Sequence, residues 1–119
     1  PVRRAVAWLA GHQNDDGGWG ERIESYTDPA WIGLGPSTAS QTAWALLGLL
    51  AADPDHPPVP PGVAYLAGTQ EPDGQWEEPF STGTGFPADF MIKYHLYRNA
   101  FPVTALGRWV ARHEGGAAA

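Results

Sequence analysis

The sequence predicts an all-α chain built from helical-hairpin repeats, and three observations carry that prediction. First, residues 6–13, Val-Ala-Trp-Leu-Ala-Gly-His-Gln, align without a gap on residues 63–70, Val-Ala-Tyr-Leu-Ala-Gly-Thr-Gln. The match runs on through Asp16-Gly17-x-Trp19 and Asp73-Gly74-x-Trp76 at the same offset of 57 residues. Self-similarity at that period is the signature of a repeat architecture. Second, helix-length apolar segments bounded by capping residues and prolines recur along the chain, and no segment reads convincingly as a strand. Third, 15 Gly and 12 Pro approach the proportion seen in low-complexity chains, yet six Trp, four Tyr and four Phe supply too much apolar surface for disorder. Units of this kind bury their faces only by stacking on neighbours. Two copies therefore look like a slice of something longer.

The elements follow in order. The two repeats, at about 3–19 and 60–76, each read as a helix ending near Gln13 or Gln70, then a turn that presents Trp19 or Trp76. Gly17 and Gly74 supply the positive φ such a turn needs. A polar, turn-rich stretch from Gly20 to Pro36 leads to Thr38-x-x-Gln41, which has the spacing of a capping box. Thr42 to Ala52 is apolar nearly all round, which predicts a helix buried on most faces. Asp53-Pro54-Asp55-His56-Pro57-Pro58 stops it, and Pro60-Pro61 suits the first turn of the second repeat helix, where a missing N–H is harmless. After Glu77-Glu78-Pro79-Phe80 and a Gly/Thr turn at Ser81 to Gly85, Pro87 opens a helix expected to reach Arg98 or Asn99. Pro102 starts another, with Val103, Leu106, Trp109 and Val110 at three- and four-residue spacing. The expectation is five helices, ending in a helical pair at about 87–114 and a frayed tail from Gly115 to Ala119.

Charge and composition exclude several functions. Seven Lys plus Arg against 13 Asp plus Glu give a net charge of -6 with no basic cluster, so nucleic acid is not an expected partner. The longest apolar run, Ala43 to Ala52, is too short to span a bilayer and fits a buried helix. The N-terminus has no signal-peptide profile, and cytoplasmic is the simplest expectation for the compartment. With no cysteine there is no disulfide, thiolate zinc site or cysteine nucleophile.

Four groups of residues bear on chemistry. Phe86, Phe90, Tyr94 and Tyr97 are spaced i, i+4, i+8, i+11. At about 100° per residue they share a helical face about 80° wide. Such a stripe packs a core or walls a pocket that holds a bulky apolar ligand, where ring faces stabilise positive charge by about 0.5–2 kcal/mol each. The spacing leaves both readings open. The Gln-Gly-Trp turns read as structural clamps, a Gln amide donating to orphan helix carbonyls, with ligand contact as the alternative. The acidic residues Asp15, Asp16, Glu21, Glu24, Asp28, Asp73, Glu77 and Glu78 lack the alternation of a calcium loop and read as solvated turns, so no metal is expected. His12, His56, His95 and His113 are scattered without ligand spacing. No phosphate loop, nucleophile elbow or dinucleotide fingerprint is present, and no cofactor is expected.

These residues together resemble the C-terminal end of the squalene-hopene cyclases, the bacterial class II triterpene cyclases. Gln13-Asn14-Asp15-Asp16-Gly17-Gly18-Trp19 and Gln70-Glu71-Pro72-Asp73-Gly74-Gln75-Trp76 are similar to that family's repeated QW motif, including the aromatic-Leu pairs Trp8-Leu9 and Tyr65-Leu66. Ser40 to Leu46, the Thr82-Gly83-Thr84-Gly85-Phe86-Pro87 segment and the ending Phe101 to Trp109 resemble it as well. The resemblance implies an α/α barrel, with residues 1–119 its C-terminal portion. It implies a central cavity that folds a polyprene and cyclises it to hopanoid triterpenes through carbocations, an isomerase reaction. By the same resemblance Phe86 and Phe90 match cation-stabilising phenylalanines, Tyr94 and Tyr97 match tyrosines that shape the cavity, and the QW turns are structural.

One departure limits what the chain does alone. The family's acid is an Asp in a D-x-D-D motif, because protonating an alkene needs a strong, positioned acid. Asp15-Asp16 and Asp53-x-Asp55 lack that pattern. The isolated chain is therefore expected to be inactive, and to self-associate through faces left without partners. The resemblance further implies squalene or a related polyprene as the substrate and a parent peripheral to the inner face of the cell membrane. Two alternatives stand beside it: a free-standing, non-catalytic isoprenoid-binding or helical-repeat interaction protein, and a protein prenyltransferase β subunit, whose zinc site includes a cysteine that this chain lacks.

Overall fold

A computed structural model describes residues 1–77, 83–84, 91–92 and 97–118. Four α-helices lie among them: α1 (Val2–Gly11), α2 (Ala39–Ala52), α3 (Val59–Thr69) and α4 (Tyr97–Ala118). Two short 3-10 turns, Ile23–Tyr26 and Pro29–Trp31, interrupt the polar stretch between α1 and α2. Two-residue strands β1 (Gly83–Thr84) and β2 (Met91–Ile92) pair antiparallel, Gly83 opposite Ile92 and Thr84 opposite Met91. That ladder is the extent of sheet among the described residues, and the class is all-α.

The helix α2 is the centre of the packing, with α1, α3 and α4 all against it. Its sequence, Ala-Ser-Gln-Thr-Ala-Trp-Ala-Leu-Leu-Gly-Leu-Leu-Ala-Ala, explains the position: small residues let neighbours approach on several sides while leucines fill the space between. Ala43, Leu46 and Leu49 have no exposed surface, and burying each leucine contributes about 1.5–3 kcal/mol. The helix begins where its cap predicts. Thr38 Oγ1 accepts from the Gln41 N–H at 3.1 Å and donates to Gln41 Oε1 at 2.9 Å. Rather than closing back on the Thr38 N–H, the Gln41 side chain reaches the preceding loop, accepting from the Glu21 N–H at 3.2 Å.

Trp19, Leu66, Val59, Trp76 and Ala105 complete the core around α2. Gly62 is where α3 crosses closest: a Cβ there would stand 2.8 Å from Leu46 Cδ2 and 2.9 Å from Trp19 Cζ3. Pro60 and Pro61 occupy the first turn of α3, where no intrahelical N–H is required.

The C-terminal third corrects two expectations. The helix expected from Pro87 to Arg98 or Asn99 is not continuous, because Met91 and Ile92 are extended and paired with β1. Extended backbone turns successive side chains by about 180° instead of about 100°. Residues 91–92 thus lie outside any single helix from Pro87 to Asn99, while Phe86, Phe90 and Tyr94 themselves are outside the described residues. Nor does a new helix start at Pro102: one helix, α4, passes through Pro102 and continues over Gly115 to Ala118. A proline inside a helix removes one backbone bond and costs about 3 kcal/mol or more. Side-chain packing offsets it here: Pro102 is fully buried, and the turn before it is tied to the rest of the fold through Asn99, Tyr97 and Phe101.

Candidate functional site: two matched turns and a triangle of rings

The first repeat turn is built from α1 outward. Its helix ends at Gly11, and Gln13 Nε2 donates to Gly17 O and to Pro58 O, both at 2.9 Å. The second bond crosses to the residue just before α3. The Asn14 N–H donates to Gly18 O and the Gly17 N–H to Asn14 O, which closes the turn, and Gly17 takes φ 92°. Asp16 Oδ1 accepts from the Gly18 N–H at 2.9 Å and from Ser37 Oγ at 2.6 Å. Trp19 then lies back over the helix, its indole N–H donating to Leu9 O at 2.8 Å.

The second turn reproduces that set. Gln70 Nε2 donates to Gly74 O at 3.0 Å, Gly74 takes φ 89°, Asp73 Oδ1 accepts from the Gln75 N–H at 3.0 Å, and the Trp76 indole donates to Leu66 O at 2.9 Å. One difference separates them. Gln70 is exposed and, among the described residues, makes no cross-helix bond corresponding to that of Gln13 on Pro58.

The match extends beyond the turns into the following helices. Thr42 Oγ1 accepts from the Trp19 N–H at 2.9 Å, and Asn99 Oδ1 accepts from the Trp76 N–H at 3.1 Å. Thr42 and Asn99 stand 57 residues apart, as do Ala43 and Ala100, Trp44 and Phe101, and Leu49 and Leu106. The repeat is thus a complete helix-turn-helix unit, α1 with α2 and α3 with α4. The offset that relates the two Trp, continued past them, points to Thr42 and Asn99.

Of the four residues of the aromatic stripe, Tyr97 is described; Phe86, Phe90 and Tyr94 lie outside the described residues. Tyr97 opens α4 in a triangle of rings. Its centroid is 5.7 Å from that of Trp44 at an interplanar angle of 76° and 5.2 Å from that of Phe101 at 70°. Trp44 and Phe101 close the triangle at 5.4 Å and 73°. All three contacts are edge-to-face, the geometry that sets a ring's positive edge against a neighbour's negative face.

Trp44 also borders a cleft of about 410 Å³ with Trp8, His12, Trp19, Glu21 and Gln41. Trp8 stacks on His12 at 3.9 Å, and His12 Nδ1 is 2.7 Å from Trp8 O. The cleft's polar groups are already engaged. Glu21 accepts from the Gly33 N–H at 2.6 Å and from Ser25 Oγ at 2.8 Å, and Gln41 Nε2 donates to Glu21 O at 3.3 Å. What the cleft offers a ligand is aromatic surface.

The acidic residues have local work. Asp16 and Asp73 hold their turns, and Asp28 caps the second 3-10 turn through the Ala30 N–H. Glu24 pairs with Arg22 at 2.8 Å, and the Arg22 guanidinium sits 5.0 Å from the centroid of Trp31. The hydrogen bond from Arg22 holds the Glu24 carboxyl below its ordinary range, and the same bond raises Arg22. Among the described residues no group of three or more acidic, His or Cys side chains is placed to hold a metal ion, and no helix is long and apolar enough to cross a membrane.

Comparison with known proteins accounts for nearly all of the chain. Residues 1–111 match the family described as the squalene-hopene cyclase C-terminal domain. A squalene–hopene cyclase of Bradyrhizobium diazoefficiens is 53% identical over 110 residues, covering 91% of this chain and 17% of that protein. One of Alicyclobacillus acidocaldarius is 54% identical over 91 residues, covering 76% of this chain and 14% of that protein. A dammaradiene synthase of Dryopteris crassirhizoma is 44% identical over 126 residues, covering 93% of this chain and 18% of that protein. The chain thus spans less than a fifth of the length of these relatives. With its helical pairs, its matched turns and this similarity, the chain belongs to the squalene-hopene cyclase C-terminal domain family.

Proposed function

We propose that the intact protein containing this chain cyclises squalene, or a related polyprene, to hopanoid triterpenes through carbocation intermediates. In this reading the chain supplies the terminal wall of the cavity through Phe86, Phe90, Tyr94 and Tyr97. The observation that carries the reading is the family match over residues 1–111, with relatives named squalene–hopene cyclase at 53% and 54% identity. The chemistry asks little of this segment beyond surface. A cyclisation cascade moves positive charge along an apolar chain, and a wall of ring faces stabilises that charge by about 0.5–2 kcal/mol per ring while keeping water from quenching it. The proton that starts the cascade comes from an acid elsewhere in the intact protein. The paired turns of Gln13, Gly17 and Trp19 and of Gln70, Gly74 and Trp76 lock successive outer helices together and take no part in the chemistry.

An apolar substrate of this size partitions into lipid, so the parent acts at the inner face of the cell membrane from the cytoplasmic side. Phe90→Ala in the parent enzyme, incubated with squalene, is expected to divert product toward incompletely cyclised or prematurely deprotonated polyprenes. An unchanged product profile sinks the cavity assignment.

Cut away from the rest of the barrel, the 119-residue chain exposes Val2, Trp8, Ile32, Leu34, Val103 and Val110. Surfaces of that kind drive association, and the isolated chain is expected to dimerise. A clean monomer by light scattering at high concentration refutes this.

A further inference from the structure

We infer that Trp44 is a positioning residue for Tyr97 and, through it, a determinant of where the cyclisation ends; the inference rests on the assignment of Tyr97 to the cavity wall. Tyr97 lies in the first described turn of α4, with its ring packed on those of Trp44 and Phe101. Phe101, one turn on in the same helix, moves with Tyr97 and cannot fix it relative to the rest of the fold. Trp44 can, because it belongs to α2, the helix around which the core is assembled.

Two further features support the assignment. Edge-to-face contacts at 5.7 Å with Tyr97 and 5.4 Å with Phe101 set the indole against both rings of α4. Displacing it removes the reference for the pair together. Trp44 is also only half-buried and borders the open cleft, whereas its neighbours Ala43, Leu46 and Leu49 have no exposed surface. A change at Trp44 therefore acts on the ring triangle while the α2 core stays in place. The second repeat carries Phe101 at the position equivalent to Trp44, so a phenylalanine is the natural substitute that retains a ring there.

The test uses the full-length parent enzyme with squalene, comparing Trp44→Ala, Trp44→Leu, Trp44→Phe, Tyr97→Ala and the double variant Trp44→Ala/Tyr97→Ala, with the product distribution as the readout. Tyr97→Ala is expected to raise the share of incompletely cyclised products several-fold. Trp44→Ala shifts the distribution toward the same products, and Trp44→Phe restores it. In the Tyr97→Ala background, Trp44→Ala adds no further shift. If Trp44→Ala does not fold, Trp44→Leu, which keeps bulk but has no ring face, makes the same comparison against Trp44→Phe. A general loss of stability lowers total turnover without this pattern. An unchanged distribution in the Trp44 variants, with a changed one in Tyr97→Ala, overturns the inference and leaves the cavity assignment standing. A further shift in the double variant also overturns it, since Trp44 then acts independently. An unchanged distribution in Tyr97→Ala removes the cavity assignment and the inference with it.

Discussion

Replacing Thr42 by valine isolates one bond of the repeat. Thr42 has no exposed surface, and its hydroxyl accepts from the Trp19 N–H at 2.9 Å while donating to Trp19 O at 3.3 Å. Valine has nearly the same shape, so packing changes little. The Trp19 carbonyl keeps a second donor, the Thr38 N–H at 3.0 Å. The Trp19 N–H, on a residue 4% exposed, is left without its acceptor. An orphaned buried donor costs about 1–3 kcal/mol. Serine at the same position keeps the hydroxyl and loses one methyl group, which costs about 0.8 kcal/mol in transfer plus a small cavity term. Equilibrium urea unfolding of the 119-residue chain, followed by tryptophan fluorescence at fixed protein concentration, reads both variants. The expectation is a lower midpoint with an unchanged slope, and a larger loss for Thr42→Val than for Thr42→Ser. A Thr42→Val loss below about 0.5 kcal/mol, less than one net hydrogen bond, refutes the claim that this hydroxyl anchors the turn. A larger loss for serine than for valine does so too, because the methyl would then outweigh the bond.

Gly17→Ala is expected to destabilise the chain more than Gly74→Ala in the same unfolding assay. Both glycines sit at positive φ, where a side chain costs about 1–2 kcal/mol, but a Cβ on Gly17 also collides with the Pro61 carbonyl while, among the described residues, one on Gly74 meets only Gln70 Nε2 at 3.8 Å. Equal losses would show that the approach to Pro61 does not matter. Glu24 offers a pH test. Its folded-state pKa is lowered by the hydrogen bond from Arg22, so its contribution to stability is present above the ordinary carboxylate pKa and is lost as pH falls through the folded value. The pair is exposed and the effect small. A carboxyl NMR titration is expected to find the Glu24 midpoint below the ordinary value and to see it return in Arg22→Ala; a midpoint that ignores Arg22 is evidence against the pair in solution.

How much of this was legible in the chain depends on whether the determining interaction is local. The N-cap at Thr38, the prolines at the start of α3 and the glycine turns all act within a few residues, where dihedral preference and capping decide the outcome. Pro102 shows the limit of such rules: a proline is locally a helix start, and contacts from Trp76 and Trp44 to the turn before it make a helix interior tolerable. The helix expected from Pro87 departs from the structure for a different reason: the aromatic spacing favours helix, whereas residues 91–92 are extended and paired with β1. A two-residue ladder has no periodicity to find.

By itself the sequence determined the all-α class, the 57-residue period, the two Gln and Trp turns and the family, because each is written in residue type at fixed spacing. Only the tertiary structure decided that Thr42 and Asn99 hold the backbone of the two Trp, that Gln13 ties its turn across to Pro58, and that Trp44 meets Tyr97 and Phe101 in one triangle. Those contacts join residues 23 to 57 positions apart. Those of Thr42 and Trp44 follow from the central place of α2 in the packing, and the strength of a hydrogen bond or a ring contact depends on distance and angle in space, which no local pattern of residues encodes.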